Sequence, residues 1–303
     1  MIRSRTLDYV ITEEHNGMLL RTYLRSVLNI SAGELTSLKE KNDGIMVNHS
    51  RVTVRYVLRT DDILSLNRSD TESSNGVVPI ELPLDVIYED DDMIAVNKPP
   101  NMPTHPSHEH QNDTLANALS YYFMNKGVPF VFRAVNRLDR DTSGIVLVAK
   151  NKSAAFLLSK EFSSFRVEKK YVAIANGHTP ESFIVEANMK RQTESKMKRI
   201  VCSDDEGQYS KTEFQLLSFD NGISTLMVTP KTGRTHQIRL HLSYSGHPII
   251  GDTLYGDENG SELINRQALH AYSLTLNRIS DGKEVTIKAA LPSDMQNITK
   301  IKL

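Results

Sequence analysis

TEFQLLSF (212–219) and ISTLMVTP (223–230) are two apolar-rich runs of strand length with only three residues between them. A connection that short returns the chain antiparallel to itself, because a parallel pair needs a crossover of roughly a dozen residues or more. Working outward, KKYVAIANG (169–177) reads as a further strand, and SAAFLLSKEF (153–162) as a helix capped by Ser153. Upstream lie a buried strand, GIVLVAK (144–150), a helix, TLANALSYYFMNK (114–126), and a hairpin, LDVIYED (84–90) with MIAVNK (93–98). Downstream the pattern predicts a helix from Thr235 to Tyr244 and a last strand at EVTIKA (284–289). No regular βα alternation runs through this order, so the expected fold is α+β, a mixed, largely antiparallel sheet with helices.

The N-terminal stretch reads as a small α+β module of its own. Leu20, Tyr23, Leu24, Val27 and Leu28 recur at helical spacing, and Ser31 with Glu34 forms a capping-box pattern for a second helix continued by Leu35 and Leu38. In DGIMVNHSRVTVRYVL (43–58) a turn at Asp43-Gly44 leads to a strand, a polar turn at Asn48-His49-Ser50 and another strand, and the apolar ILSL (63–66) follows. NRSDTESSNGVV (67–78) has linker composition. The expected organisation is a module at 1–68, a linker at 69–79 and a larger domain at 80–303.

A length of 303 residues accommodates two domains at ~150 residues each. Hydrophobic residues at 39% and charged residues at 24% exclude collagen-like, low-complexity and wholly disordered classes. Cys202 is the only cysteine, which excludes an intrachain disulfide and a cysteine zinc cluster. Apolar runs such as IVLVA (145–149) fall far short of the ~20 residues of a membrane span, and MIRSRTLDYVITEEH lacks a signal-peptide apolar core. The expectation is a cytoplasmic protein with no membrane partner. With 36 Lys and Arg against 37 Asp and Glu, net charge does not announce a polyanionic partner. Charge is segregated locally: DVIYEDDD (85–92) carries five acids, while 186–200 carries Lys190, Arg191, Lys196, Lys198 and Arg199 against two glutamates. That pattern permits a basic groove, or simply a solvated charged hairpin.

Two stretches concentrate reactive side chains. In AVNRLDRDTSG (134–144), Asp139 stands between Arg137 and Arg140, and flanking cations favour an ionised carboxylate, suited to a nucleophile or electrostatic stabiliser. KTGRTHQIRLHLSYSGHPIIGD (231–252) packs Lys231, Arg234, His236, Arg239 and His241 around a loop and a helix start. Spacing alone equally allows a surface salt bridge and an ordinary turn at these places.

NRLDRDTSG, preceded by VNKPPNMPTHPS (96–107) and followed by KKYVAIANG and GRTHQIRLHLSYSGHPIIGDTLYG (233–256), resembles the RluA-type family of RNA pseudouridine synthases over essentially residues 80–292. The N-terminal module is similar to a small RNA-binding domain shared with a ribosomal protein. The resemblance implies isomerisation of uridine in RNA without a cofactor or metal: the glycosidic bond breaks, the uracil turns, and it is rejoined through carbon. It implies Asp139 as the catalytic carboxylate, Arg239 as its paired arginine and Tyr171 as the aromatic face under the base. A base inside folded RNA must be flipped out, and Arg137 matches the residue that plugs the vacated stack. Asn136, Arg140, Arg234, His236, Ile238 and Leu240 complete the substrate-binding residues it implies. RNA is the partner, with ribosomal RNA favoured and transfer RNA open.

The sequence departs from the family twice: Asn136 replaces the usual His before RLD, and Asn101 stands where Gly is common after NKPP. Asn tolerates left-handed backbone, so the second change is mild. His105, His108 and His110 form a weak metal candidate without an obvious fourth ligand. KTGRT lacks phosphate-loop spacing. Asp139 and Asp141 are too close in sequence to span a sugar as a glycosidase pair. Tyr121, Tyr122 and Phe123 share a helix with Leu115 and Leu119 and read as core. The reading from another class is a non-catalytic RNA-binding or ribosome-assembly factor on the same fold.

Overall fold

The computed structural model of the chain describes residues 6–28, 30, 32–68, 76–164, 166–193, 195, 197–203, 206–256, 262–299 and 301. Near the N-terminus, β1 (Thr6–Val10), α1 (Leu20–Thr22), α2 (Ala32–Glu40), β2 (Ile45–Val47), β3 (Ser50–Arg51) and β4 (Ile63–Asn67) form a unit around a sheet ordered β1-β4-β2-β3. A wider helical turn over Tyr23–Val27 continues α1. Leu20, Tyr23 and Leu24, with Leu35 and Leu38, bury against Ile45, Val47, Leu64 and Leu66.

One expectation for this region changes, and one strand is added. The strand predicted across RVTVRYVL stops at Arg51, because the carbonyls of Val54 and Tyr56 accept from Arg21 N and Leu20 N, amides at a helix start with no intrahelical partner. TLDYV, unassigned from the sequence, is β1, paired with β4. Ser31, the expected cap, lies outside the described residues, as does most of the expected linker; Glu34 forms an ion pair with Arg68 at 3.0 Å.

The rest of the chain builds β5 (Val86–Glu89), β6 (Met93–Lys98), α3 (Leu115–Asn125), β7 (Ser143–Ala149), α4 (Lys152–Ser163) and β8 (Glu168–Asn176). After these come β9 (Ser182–Arg191), β10 (Arg199–Cys202), β11 (Gln208–Asp220), β12 (Ile223–Pro230), α5 (Gln237–Tyr244), β13 (Leu269–Asn277), β14 (Glu284–Lys288) and α6 (Ser293–Gln296). The sheet runs β10-β9-β11-β12-β8-β13-β7-β6-β5, with β14 also on β13. Every pairing is antiparallel except β13 with β7, so the fold is α+β with the mixed, largely antiparallel sheet expected.

Helices on both faces explain why β7 is apolar throughout. Val146 and Val148 pack with Ile94 and Val96 under α3, while Ile145 and Leu147 pack with Met93 and Ala95 under α4. Alternation along the strand sends successive side chains to opposite layers. On the other half of the sheet, Ile238 and Leu242 of α5 cover Val172, Ile174 and Val228.

Two helix starts differ from the expected ones. Asn151 caps α4, accepting from Ala154 N at 2.8 Å, and Ser153 is buried within the first turn. Helix α5 begins at Gln237, since His236 is left-handed with φ 59° and cannot continue a helix back to Thr235. The 186–200 segment is a hairpin of β9 and β10, with Lys190 paired to Glu206; Lys196 lies outside the described residues. Of the three aromatic residues read as core, Phe123 is buried, while the Tyr121 and Tyr122 hydroxyls reach Glu81 and Glu89.

Candidate active site

The loop carrying Asp139 is fixed before any charge enters the account. Its approach runs along the side of β7 that β6 leaves open, where Ala149 N donates to Arg133 O at 2.9 Å and Val135 N to Leu147 O at 2.8 Å. There the Asn136 side chain takes over from the backbone: Oδ1 accepts from Leu147 N at 2.7 Å and Nδ2 donates to Ile145 O at 3.0 Å. A carboxamide offers the same donor and acceptor as a peptide, so the ladder continues through a side chain. Asn136 therefore faces the strand and braces the loop.

Three side chains from two remote segments hold the loop's carbonyls. Thr104 Oγ1 donates to Leu138 O at 3.2 Å, Lys98 Nζ to Arg140 O at 2.9 Å, and Arg266 Nη1 to Asp141 O at 3.1 Å. Lys98 is fully buried, and that burial brings its amine down to about 7. The loop then enters β7 at Gly144, with φ 109°, where a Cβ would lie 2.3 Å from Ala271 O. Only glycine admits β13 this closely. On the far side of the loop, Asn101 has φ 59°, the left-handed backbone expected of it.

Helix α5 brings the partner. Arg239 Nη1 donates to Asp139 Oδ2 at 3.0 Å, while its Nε and Nη2 donate to Asp252 Oδ2 and Oδ1 at 2.7 and 2.8 Å. Asp252 is buried and also accepts from Leu254 N and Tyr255 N. Burial opposes its charge, but Arg239 keeps the carboxyl below the usual carboxylate range. Against the pull of burial, Asp252 and then Asp139 hold the guanidinium protonated. Gly251, next to Asp252, has φ 73°, and a Cβ there would sit 2.2 Å from Arg266 O, so only glycine fits against that segment. Among the described residues nothing donates to Asp139 Oδ1, so one carboxylate oxygen is tied and the other is free.

Asp139 borders a cavity of about 130 Å³ lined also by Tyr171, Ile238, Arg239 and Leu269. A cavity of ~150 Å³ admits a benzene ring, so this one suits a single planar heterocycle. Tyr171 projects from β8; burial, and then the Asp139 charge, push its phenol up to about 12, so the hydroxyl stays protonated. His236 lies 3.7 Å from Asp139 Oδ2 through Nε2 and 3.1 Å from the Tyr255 hydroxyl through Nδ1. Burial holds its imidazole below the usual histidine range.

The remaining sequence-predicted residues divide. Arg137 and Arg234 line the mouth, and Arg137 is exposed. Arg140 turns away to pair with Asp141 at 3.0 Å, so the cation on Asp139 is the distant Arg239 and not its sequence neighbour. Leu240 packs with Met189 and Tyr255 behind the site. Asp252, Tyr255, Lys98 and Lys169 were missed as site residues, although all four stand inside the quoted motifs GHPIIGDTLYG, VNKPP and KKYVAIANG. No group of three His, Cys, Asp or Glu is placed to hold a metal among the described residues; His105 packs on Phe132 and His110 pairs with Asp113.

A carboxylate clamped by arginine lies at the edge of a ring-sized cavity walled by tyrosine, an arrangement that suits a flat, polar ring. The family model described as RNA pseudouridylate synthase matches residues 92–244. An uncharacterized RNA pseudouridine synthase of Bacillus subtilis, YjbO, is 36% identical over 90% of this chain and 95% of its own. Ribosomal large subunit pseudouridine synthase D of Zymomonas mobilis is 34% identical over 98% of this chain and 97% of its own. Among solved structures, human RNA pseudouridylate synthase domain containing 1 superposes with a TM-score of 0.58 at 29% identity, covering 68% of this chain and 83% of that one. The chain belongs to the RNA pseudouridylate synthase family and is an isomerase acting on RNA.

Proposed function

We propose that this enzyme converts uridine to pseudouridine in ribosomal RNA, with Asp139 as the catalytic carboxylate. The observation that carries the reading is the Arg239 contact at 3.0 Å, which fixes Oδ2 of a carboxylate that lines the ring-sized cavity. A charge-assisted bond of this kind orients the carboxylate and favours its ionised form. The flipped uracil stacks on Tyr171, whose aromatic face holds a base without demanding sequence. While the glycosidic bond is broken, the Ile238 and Leu269 walls keep the uracil in place as it turns and is rejoined through carbon. Arg137, exposed at the rim, enters the vacated stack, and Arg234 and His236 contact the target nucleotide.

The relatives named for the ribosomal large subunit support ribosomal RNA as the substrate. Residues 1–68 serve as an RNA-binding module, joined by a linker at 69–79 to a catalytic domain at 80–303, and the protein works in the cytoplasm. No helix among the described residues is long and apolar enough to cross a membrane. The test is to map pseudouridines in total RNA from cells with and without the gene. Loss of one or a few ribosomal sites is expected; an unchanged map of ribosomal RNA would reject the substrate.

A further inference from the structure

The uracil-sized cavity opens into a second, larger one of about 510 Å³, and the two share Arg137, Lys169, Tyr171 and Arg234. The larger cavity reaches α4 at Ser159 and Phe162, and no carboxylate among the described residues lines it. Lys169 stands at the junction. It lies two residues before Tyr171 on β8, so both side chains point to the same face of the sheet. Its ammonium lies 3.9 Å from the place a side chain on Gly233 would begin.

What sets Lys169 apart is the absence of an anion. Lys170, Lys190, Lys211 and Lys231, on the same half of the sheet, pair with Glu168, Glu206, Glu186 and Glu213. Among the described residues the Lys169 side chain has no hydrogen bond or ion pair, although it is half-buried. Burial alone lowers its amine, with no carboxylate opposing. Arg137 likewise has no acidic partner among the described residues, and Arg234 spends only its Nε, on Tyr209 O at 3.1 Å. A desolvated cation kept without a counterion costs stability in the free protein and is offset when an anion arrives.

We propose that the larger cavity is a phosphodiester subsite, in which Lys169 binds the backbone phosphate next to the flipped uridine, with Arg234 lining the same cavity. The assignment rests on the reading of the smaller cavity as the uracil site. An anchored phosphate beside the target sets the depth to which the base enters, so Lys169 is a binding residue for the substrate backbone.

The experiment measures binding and not turnover, so it stands whether or not the chemistry assigned to Asp139 is right. Full-length protein and the variants Lys169→Gln and Lys169→Arg are titrated with a short single-stranded oligouridylate across a range of salt, and with the same oligomer carrying neutral methylphosphonate linkages. Lys169→Gln should weaken the charged oligomer about tenfold and reduce the salt slope by about 0.7, the share of one phosphate on a single strand. It should leave the neutral oligomer unaffected, and Lys169→Arg should keep most of the slope. Melting temperature should not fall in Lys169→Gln, since an uncompensated buried charge is removed. An unchanged slope, an equal loss on the neutral oligomer, or no binding of the charged oligomer by the unaltered protein would overturn the proposal.

Discussion

Arg239 gives two N–H groups to Asp252 and one to Asp139, so the fully buried carboxylate, not the one facing the cavity, is its principal anchor. Charge passes through the pair in order: Asp252 holds the guanidinium, and the guanidinium holds Asp139.

Replacing the anchor should therefore damage the site from behind. Asp252→Ala leaves a buried arginine half-paired, a change that typically costs about 3–5 kcal/mol, to be read by urea unfolding. Asp252→Asn keeps an acceptor and the shape; it should fold, retain KM, and lose kcat by roughly a hundredfold because Asp139 is no longer held. A KM effect with kcat preserved would place Asp252 outside the positioning chain.

Asp139→Asn should abolish pseudouridine formation while melting temperature and RNA affinity stay close to those of the unaltered enzyme. The reason is structural: Arg239 still has Asp252, so no buried charge is orphaned. Arg239→Ala should lose both activity and stability, since it strips two carboxylates of their cation. Labelled-uridine turnover beside filter binding separates these outcomes.

Asn136 should tolerate histidine better than alanine. An imidazole offers one donor and one acceptor, enough for Ile145 O and Leu147 N, whereas alanine leaves both unsatisfied at about 1–3 kcal/mol each. Asn136→His is expected to change kcat by less than about tenfold and to introduce a decline below pH ~6.5, where the protonated ring can no longer accept. A hundredfold gain in kcat would contradict a bracing role.

Acid should weaken the fold through two buried imidazoles. His241, between Ser210 and Thr212, and His270, between Ser143 and Ala289 O, are each brought down to about 4 by burial. The unfolded chain binds these protons near pH ~6.5, so the stabilisation is complete above that pH and drains away as pH falls toward 4. Each group contributes on the order of 3 kcal/mol across that window. Unfolding free energies measured at intervals down the window should decline steeply in the native protein and less steeply in His241→Gln.

Removing residues 1–68 should weaken binding of folded RNA more than it reduces turnover at saturating substrate. Ten basic and eight acidic residues leave that segment a net +2, so the salt dependence lost should amount to a few phosphate contacts. Equal affinity of the truncated enzyme across a salt titration would deny the module an RNA-binding role.

The strands legible in the sequence were those with uniform apolar character, short turns or a run of β-branched residues: β2, β5, β6, β7, β8, β11, β12 and β14. What hid β9 and β13 was mixed polarity, as in SFIVEANMKR and LHAYSLTLN, where neighbouring strands supply the regularity. Helix α5 was misplaced by two residues because a left-handed His236 leaves no trace in periodicity. Asp139, Tyr171 and Arg239 were read from motifs, and the structure brings all three to one cavity. Asp252 stayed silent because its only clue is a buried charge thirteen residues from its partner, which no local pattern reveals.

Strand β13 lies between β7, which follows Asp139, and β8, which carries Tyr171, although it is made after both. A growing chain that has just added Arg239 already contains Asp139, Tyr171 and Arg239 but not the strand that separates β7 from β8, which begins thirty residues later, at Leu269. Such long-range pairing is slow to form and completes late in folding. The cavity between Asp139 and Tyr171 is thus completed by a segment made after both, and its shape depends on closure of the whole sheet.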